Sequence, residues 1–165
     1  MLKNVKIGGI MKKLLFGILL IVVGCAGTQD LAPDGTPIPI GVNTIIFQIQ
    51  ESPEDAFRDI GRHLIQNGFS IENSSDQFLT LTTSYRNTSS GSLSAATDIS
   101  ITASVMDDHI LLYGTARQGM QLGTTDLGEN RIEHRGQSGS IMRNAWDELY
   151  QLALSFSENL RFETR

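Results

Sequence analysis

Residues 97–116 read TDISITASVMDDHILLYGTA. In the first half Ile99, Ile101, Ala103 and Val105 alternate with Asp98, Ser100, Thr102 and Ser104, the period of two that turns one side of a strand toward a core. In the second half, residues 110–116, Leu111 and Tyr113 point away from Ile110 and Leu112, so this strand is expected to be partly covered on both faces. Asp107-Asp108 stands between them, and aspartate satisfies its own backbone in tight turns. Two strands joined by so short a polar turn predict a hairpin within an antiparallel sheet.

Working outward, the flanking segments supply the rest of that sheet and its cover. Residues 43–50 predict a strand with Ile45, Phe47 and Ile49 on one side and Gln48 and Gln50 on the other. A helix then starts at Ser52, with Pro53 at its first position and Asp55 where a capping box places its acid. Its apolar stripe is Phe57, Ile60 and Leu64 with Ala56, Gly61 and Ile65, and Asn67-Gly68 ends it. Residues 69–73 and 77–85 predict two more strands around a turn at Ser74-Ser75-Asp76. A small-residue loop, 87–96, leads into the central hairpin. Beyond the hairpin, residues 119–139 carry five glycines and few apolar residues, a loop or a projecting glycine-broken hairpin. Ser140 caps a second helix expected to run to about Asn159. Its broad apolar face holds Met142, Ala145, Trp146, Leu149, Leu152, Ala153, Phe156 and Leu160. Residues 161–165 read as a polar tail. The order β-α-β-β-β-β-α defines an α+β fold in which one antiparallel sheet buries one face under both helices.

The chain of 165 residues suits one domain. All four lysines (Lys3, Lys6, Lys12, Lys13) precede residue 25, so residues 25–165 keep 9 arginines against 18 acids, a formal charge of −9. Such a surface is a poor partner for a phosphate backbone, and no nucleic acid is expected among the partners. Cys25 is the only cysteine, which excludes an internal disulfide and a cysteine-rich zinc site.

The setting of that cysteine is informative. Residues 11–25 read MKKLLFGILLIVVGC: two lysines, an apolar run over 14–23, then a small residue and the cysteine. These are the parts of a secretory signal, and the run is short of the ~20 residues that span a bilayer. Met11-Lys12-Lys13 is a complete n-region by itself, so the start can be read at Met1 or at Met11. Val22-Val23-Gly24-Cys25 resembles the lipobox of bacterial lipoproteins. The resemblance implies cleavage between Gly24 and Cys25, lipidation of Cys25 (palmitate among the acyl chains) and anchoring in the cell envelope. Ala26, where an aspartate marks inner-membrane retention, points to the periplasmic face of the outer membrane. Residues 1–24 are therefore expected to be a signal peptide. Residues 25–42, with Pro33, Pro37 and Pro39, are expected to be the lipidated cysteine and a spacer, reaching up to ~50 Å at ~3.1 Å per residue. Residues 43–165 form the single α+β domain.

A second resemblance lies within that domain. Ala56-Phe57, Leu64-Ile65, Gly68-Phe69-Ser70-Ile71 and Leu79-Thr80-Leu81-Thr82-Thr83 are similar to the opening of BamC-type lipoprotein domains. Those are helix-grip modules of envelope-assembly lipoproteins, and the resemblance implies that fold and a non-enzymatic assembly role. This chain departs from them in having one such domain and a long glycine-rich segment.

Candidate chemistry is sparse. Asp107-Asp108-His109 could offer metal ligands, but three neighbours at a hairpin tip do not converge on one ion, and they are read as turn chemistry; no metal is expected. His63 is read as a rim histidine, and Glu133-His134-Arg135 as part of the glycine-rich stretch. Ser89, Ser90, Ser92 and Ser94 lack the G-x-S-x-G elbow of a serine hydrolase. Phosphate-loop and dinucleotide fingerprints are absent, and no cofactor is expected. Arg117, Arg131, Arg135 and Arg143 cluster around the glycine-rich segment as ordinary solubilising charge or as a local anion- or partner-binding patch. Two functions stay open: an interaction or assembly module, and a carrier or sensor holding an apolar ligand between sheet and helices, beneath Trp146.

Overall fold

The computed structural model describes residues 30–88, 97–118, 128–135 and 140–165. The signal, Gly24 and Cys25, the serine run 89–96 and most of the glycine-rich stretch lie outside the described residues.

Eight strands build one antiparallel sheet: β1 (Thr44–Gln48), β2 (Ile71–Ser75), β3 (Thr80–Thr83), β4 (Arg86–Asn87), β5 (Thr97–Val105), β6 (His109–Gln118), β7 (Asn130–Arg131) and β8 (Leu160–Glu163). Their order is β2-β3-β5-β6-β1-β8, with β4 beside β5 and β7 beside β6. The two helices are α1 (Pro53–Gln66) and α2 (Ile141–Phe156). The fold is α+β, with two helices on one sheet.

The central hairpin forms as the alternation requires. Thr97 pairs with Gln118 and Val105 with Ile110, and the Met106 N–H donates to the His109 carbonyl at 2.8 Å to close the turn. Ile99, Ile101, Ala103 and Val105 are all buried, joined from neighbouring strands by Ile45, Phe47, Ile110, Leu112 and Ala116. The helices cover this face with Ala56, Ile60 and Leu64 from α1 and Ala145, Trp146, Leu149, Leu152 and Ala153 from α2. Where the helices meet, His63 Nε2 lies 2.9 Å from Ser155 Oγ and its ring packs edge-on to Phe156.

The helix caps follow the sequence. Ser52 Oγ accepts from the Asp55 N–H at 3.2 Å, satisfying an otherwise orphaned first-turn donor, and donates to Asp55 Oδ2 at 2.8 Å. Gly68, at φ +82°, takes the left-handed position that ends α1. Ser140 Oγ accepts from the Arg143 N–H at 3.1 Å to start α2.

Four features differ from the sequence reading. First, α2 stops at Phe156, and the tail is strand β8, antiparallel to β1 with Leu160 opposite Phe47 and Phe162 opposite Ile45. Leu160 lies four residues after Phe156 and so mimics the helical stripe, but Ser157 is already extended (φ −152°, ψ 144°). From there Leu160 and Phe162 alternate inward, and Phe162 packs 6.2 Å from the Trp146 ring.

Second, residues 31–42, expected to belong to a spacer, are part of the compact domain. The compact unit is Leu31–Arg165, and Ala32, Ile38 and Val42 belong to its core. Proline removes donors from a ladder but leaves neighbouring apolar side chains free to pack. A turn at Asp34-Gly35, closed by Ala32 N–H to the Thr36 carbonyl at 2.8 Å, folds the segment back. His134 then fastens its end: the His134 N–H donates to the Val42 carbonyl at 2.7 Å, the Gly41 N–H donates to the His134 carbonyl at 2.8 Å, and the ring Nδ1 lies 2.9 Å from the Pro39 carbonyl.

Third, the turn expected at 74–76 falls at 76–79. Ser74 and Ser75 pair with Leu81 and Thr80, and Leu79 adopts φ +46°, leaving Phe78 exposed. Fourth, the long strand expected over 77–85 is the shorter β3 at Thr80–Thr83, and β4 at Arg86–Asn87, beyond that span, continues the row beside β5.

Candidate functional site on the helix-free face of the sheet

Strand alternation sends a second set of side chains to the face that neither helix covers. The register places Ile46 opposite Leu111 on one side and Arg161 on the other, Leu111 opposite Ser104, Tyr113 opposite Thr102, and Thr115 opposite Arg131. Ile46 and Leu111 are only 5% and 4% exposed, yet neither belongs to the core beneath the helices. Leu111 shares a cleft with the long side chains of Tyr113, Arg131 and Arg165, whose stems are apolar and whose tips are polar.

Thr44, Ser104, Met106, Leu111, Tyr113, Arg131 and Arg165 line a cleft of 340 Å³ on this face. The Arg131 guanidinium sits 5.1 Å from the centroid of the Tyr113 ring, and its Nη2 donates to Thr44 Oγ1 at 3.3 Å. Thr44 Oγ1 in turn donates to Asn43 Oδ1 at 3.1 Å. The Asn43 carboxamide holds the backbone of Arg165 twice, accepting from its N–H and donating to its carbonyl, both at 3.0 Å. Asn43 thus fixes both edges of the cleft from below. Hydroxyl pairs extend the face across β5 to β3: Thr80 with Ser104 at 3.2 Å, and Thr82 with Thr102 at 3.1 Å.

A second polar cluster occupies the far end. Arg117 stacks 3.9 Å from the Tyr85 ring centroid and its Nε is 3.5 Å from Asp98 Oδ2, while the Tyr85 hydroxyl lies 3.0 Å from Thr115 Oγ1. Glu129 accepts from Tyr85 and then from Thr115, and these bonds hold its carboxyl below the usual range, with Arg117 adding to the effect. Burial pushes the Tyr85 phenol up, and the Glu129 charge adds to it. On the rim, His109 Nδ1 lies 2.5 Å from Asp108 Oδ1, and that contact is the main cause holding the Asp108 carboxyl below its ordinary value.

The arginines expected to cluster divide. Arg117 and Arg131 share the helix-free face through β6 and β7. Arg135 pairs with Glu133, and Arg143 pairs with Asp147 of α2 at 2.8 Å, on the helical layer. Asp107 and Asp108 stand in the hairpin turn, and His109 opens β6. His134 is a buried fastener: its ring lies 5.4 Å from Trp146. Trp146 itself is 1% exposed and is packed by the rings of His134, Tyr150 and Phe162. Tyr113, Leu111, Thr44 and Arg165 join the site without having been singled out. Their one signal was the wrong-side apolar pair Leu111 and Tyr113 within the hairpin.

Compared with known proteins, the chain matches no family model and no curated protein.

Proposed function

We propose that this chain is a lipid-anchored protein of the bacterial cell envelope, held through Cys25, whose domain is a non-enzymatic interaction module working through its helix-free sheet face. The observation that carries the reading is that face: Ile46 and Leu111 lie on it, away from the core under α1 and α2, next to an open cleft edged by Arg131 and Arg165. The open part of that cleft sets the exposed Met106 beside arginine tips, the pairing of apolar surface with a polar rim that protein contact surfaces show. The lipobox-like Val22-Val23-Gly24-Cys25 and the single cysteine support the anchor, and the similarity to BamC-type domains supports an assembly role. The excess of acids over arginines argues against nucleic acid as partner. The rings packed around Trp146 favour this reading over a carrier with its ligand between sheet and helices.

Two experiments test it. Cys25→Ala abolishes incorporation of radiolabelled palmitate; unchanged incorporation refutes the anchor. A photo-crosslinking residue at Tyr113 captures an envelope protein in intact cells, while one at Gln151 on α2 does not. Equal capture from both positions, or none from Tyr113, refutes the contact surface.

A further inference from the structure

The cleft on the helix-free face has a chemical bias that the surrounding surface lacks. The chain is acidic overall, with a formal charge of −5. Of the two arginines that edge the cleft, Arg165 has a carboxylate partner, Glu163 Oε2 at 3.1 Å. Arg131 has none within ion-pair distance among the described residues. Its contacts are the Tyr113 ring and the Thr44 hydroxyl. A guanidinium carries five N–H donors in a planar fork, and a ring stacked on its face leaves the fork's edge usable. One donor goes to Thr44, so the remaining donors have no protein acceptor among the described residues. The Thr44 proton is committed to Asn43 Oδ1, and Asn43 is itself locked to the Arg165 backbone, so the Arg131 fork is held by a chain of hydrogen bonds before anything binds. Beside it, Met106, 40% exposed, supplies apolar surface within the same 340 Å³.

From this arrangement we infer that the docking segment of the partner is acidic: a carboxylate side chain seats on Arg131, and a neighbouring apolar side chain lies over the exposed Met106. The inference rests on the interaction-module reading and names the chemistry of its partner. A planar carboxylate matches the fork with two parallel hydrogen bonds, which neither an amide nor an ammonium group can do.

The test uses the isotope-labelled purified full chain and three probes: acetyl-Leu-Glu-Leu-amide, its glutamine analogue and its lysine analogue. The glutamate peptide shifts the amide signals of Thr44, Ser104, Leu111 and Tyr113 and binds about threefold to fivefold more tightly than the glutamine peptide, the range of an exposed ion pair. The lysine peptide is the weakest. Arg131→Gln erases the preference, Arg131→Lys keeps part of it because the charge remains without the fork, and raised salt shrinks it. Buried Trp146 emission unchanged in both variants certifies that the fold is intact. Equal affinity for the glutamate and glutamine peptides, absence of shifts at those four amides, or a preference that survives Arg131→Gln overturns the inference. The two readings fail separately. Peptide preference without capture at Tyr113 in cells sinks the interaction module. A captured partner whose binding ignores Arg131→Gln sinks the acidic segment alone.

Discussion

Gly114 sits in the middle of β6, paired with Ile101 of β5, and it is the position where one added methyl group has the most determined consequence. A Cβ built there meets the Ser100 carbonyl oxygen at 2.6 Å and Ile132 Cδ1 at 3.0 Å. The Ile132 contact ends in a side-chain tip that can rotate. The Ser100 contact is backbone, within a strand whose pairing to β6 runs from Thr97 to Val105, so relief requires the two central strands to part. Overpacking of this kind costs about 1–3 kcal/mol, and the backbone contact places Gly114→Ala toward the upper part of that range. The lower entropy of the unfolded alanine chain returns about 0.4–1 kcal/mol, leaving a net loss of about 2 kcal/mol. For a domain of this size that corresponds to a fall in melting temperature of roughly 5–8 °C. Gly61→Ala in α1 is the control. The nearest atom there is the Leu81 Cδ2 tip at 3.4 Å, and alanine is favoured over glycine in a helix by up to about 1 kcal/mol. Urea unfolding followed by the fluorescence of the single, buried Trp146 measures both. The reasoning is refuted if Gly114→Ala lies within about 0.5 kcal/mol of the parent, the usual range of a neutral substitution. It is also refuted if adding Ile132→Val, which removes Cδ1 alone, restores most of the loss.

Three further outcomes follow from the packing and the polar cluster. Leu160→Ala destabilises by about 2 kcal/mol, the low end for a buried leucine because β8 is an edge strand, whereas a residue in a free polar tail would change urea stability by under about 0.5 kcal/mol. His134→Ala removes the ring from between Pro39 and Trp146 and costs about 1–3 kcal/mol for the unsatisfied carbonyl, with a red shift of Trp146 emission as solvent enters; an unmoved emission maximum counters it. Tyr85→Phe takes away the main hydrogen bond that lowers the Glu129 carboxyl, so a carbon-detected titration of Glu129 moves up toward its ordinary value. The sign follows by linkage: with its folded value depressed, Glu129 contributes stability above its unfolded pKa of about 4.5, and that contribution fades as pH falls through the folded value. Acid unfolding of Tyr85→Phe is accordingly less dependent on pH in that window, and an unshifted Glu129 titration contradicts the assignment.

The elements whose signal is local were legible in the residues. The hairpin of β5 and β6 needs only alternation and a turn, and α1 needs only Ser52, Pro53, Asp55 and Gly68, each acting within four residues of its neighbour. What failed locally had a non-local cause. Leu160 satisfies both a helical stripe and a strand alternation; β1, more than a hundred residues earlier, decides between them by offering an edge to pair with. The segment with Pro37 and Pro39 has the composition of a spacer, and it packs because Ile38 and Val42 reach the core while His134, far along the chain, supplies the hydrogen bonds that proline cannot.

The same limit explains how much of the site could be read. Arg117 and Arg131 stand out in sequence as cations near a glycine-rich stretch, but so do Arg135 and Arg143, and only strand pairing separates the first two from the second. A face of a sheet is assembled from every second residue of several strands, so its members share no spacing. Thr44, Ser104, Leu111, Tyr113 and Arg131 come from four strands and meet because the register of β6 sets β5 on one flank and β1 and β7 on the other. The buried leucine and isoleucine on that face do carry a consequence that sequence alone could have raised. A strand with apolar residues on both sides requires cover on both sides, and α1 and α2 together supply only one layer. Side chains of Arg131, Arg165 and Tyr113 cover the other face in part, leaving a cleft among them. An adjacent partner would cover what stays open there, the exposed Met106 just past the end of β5.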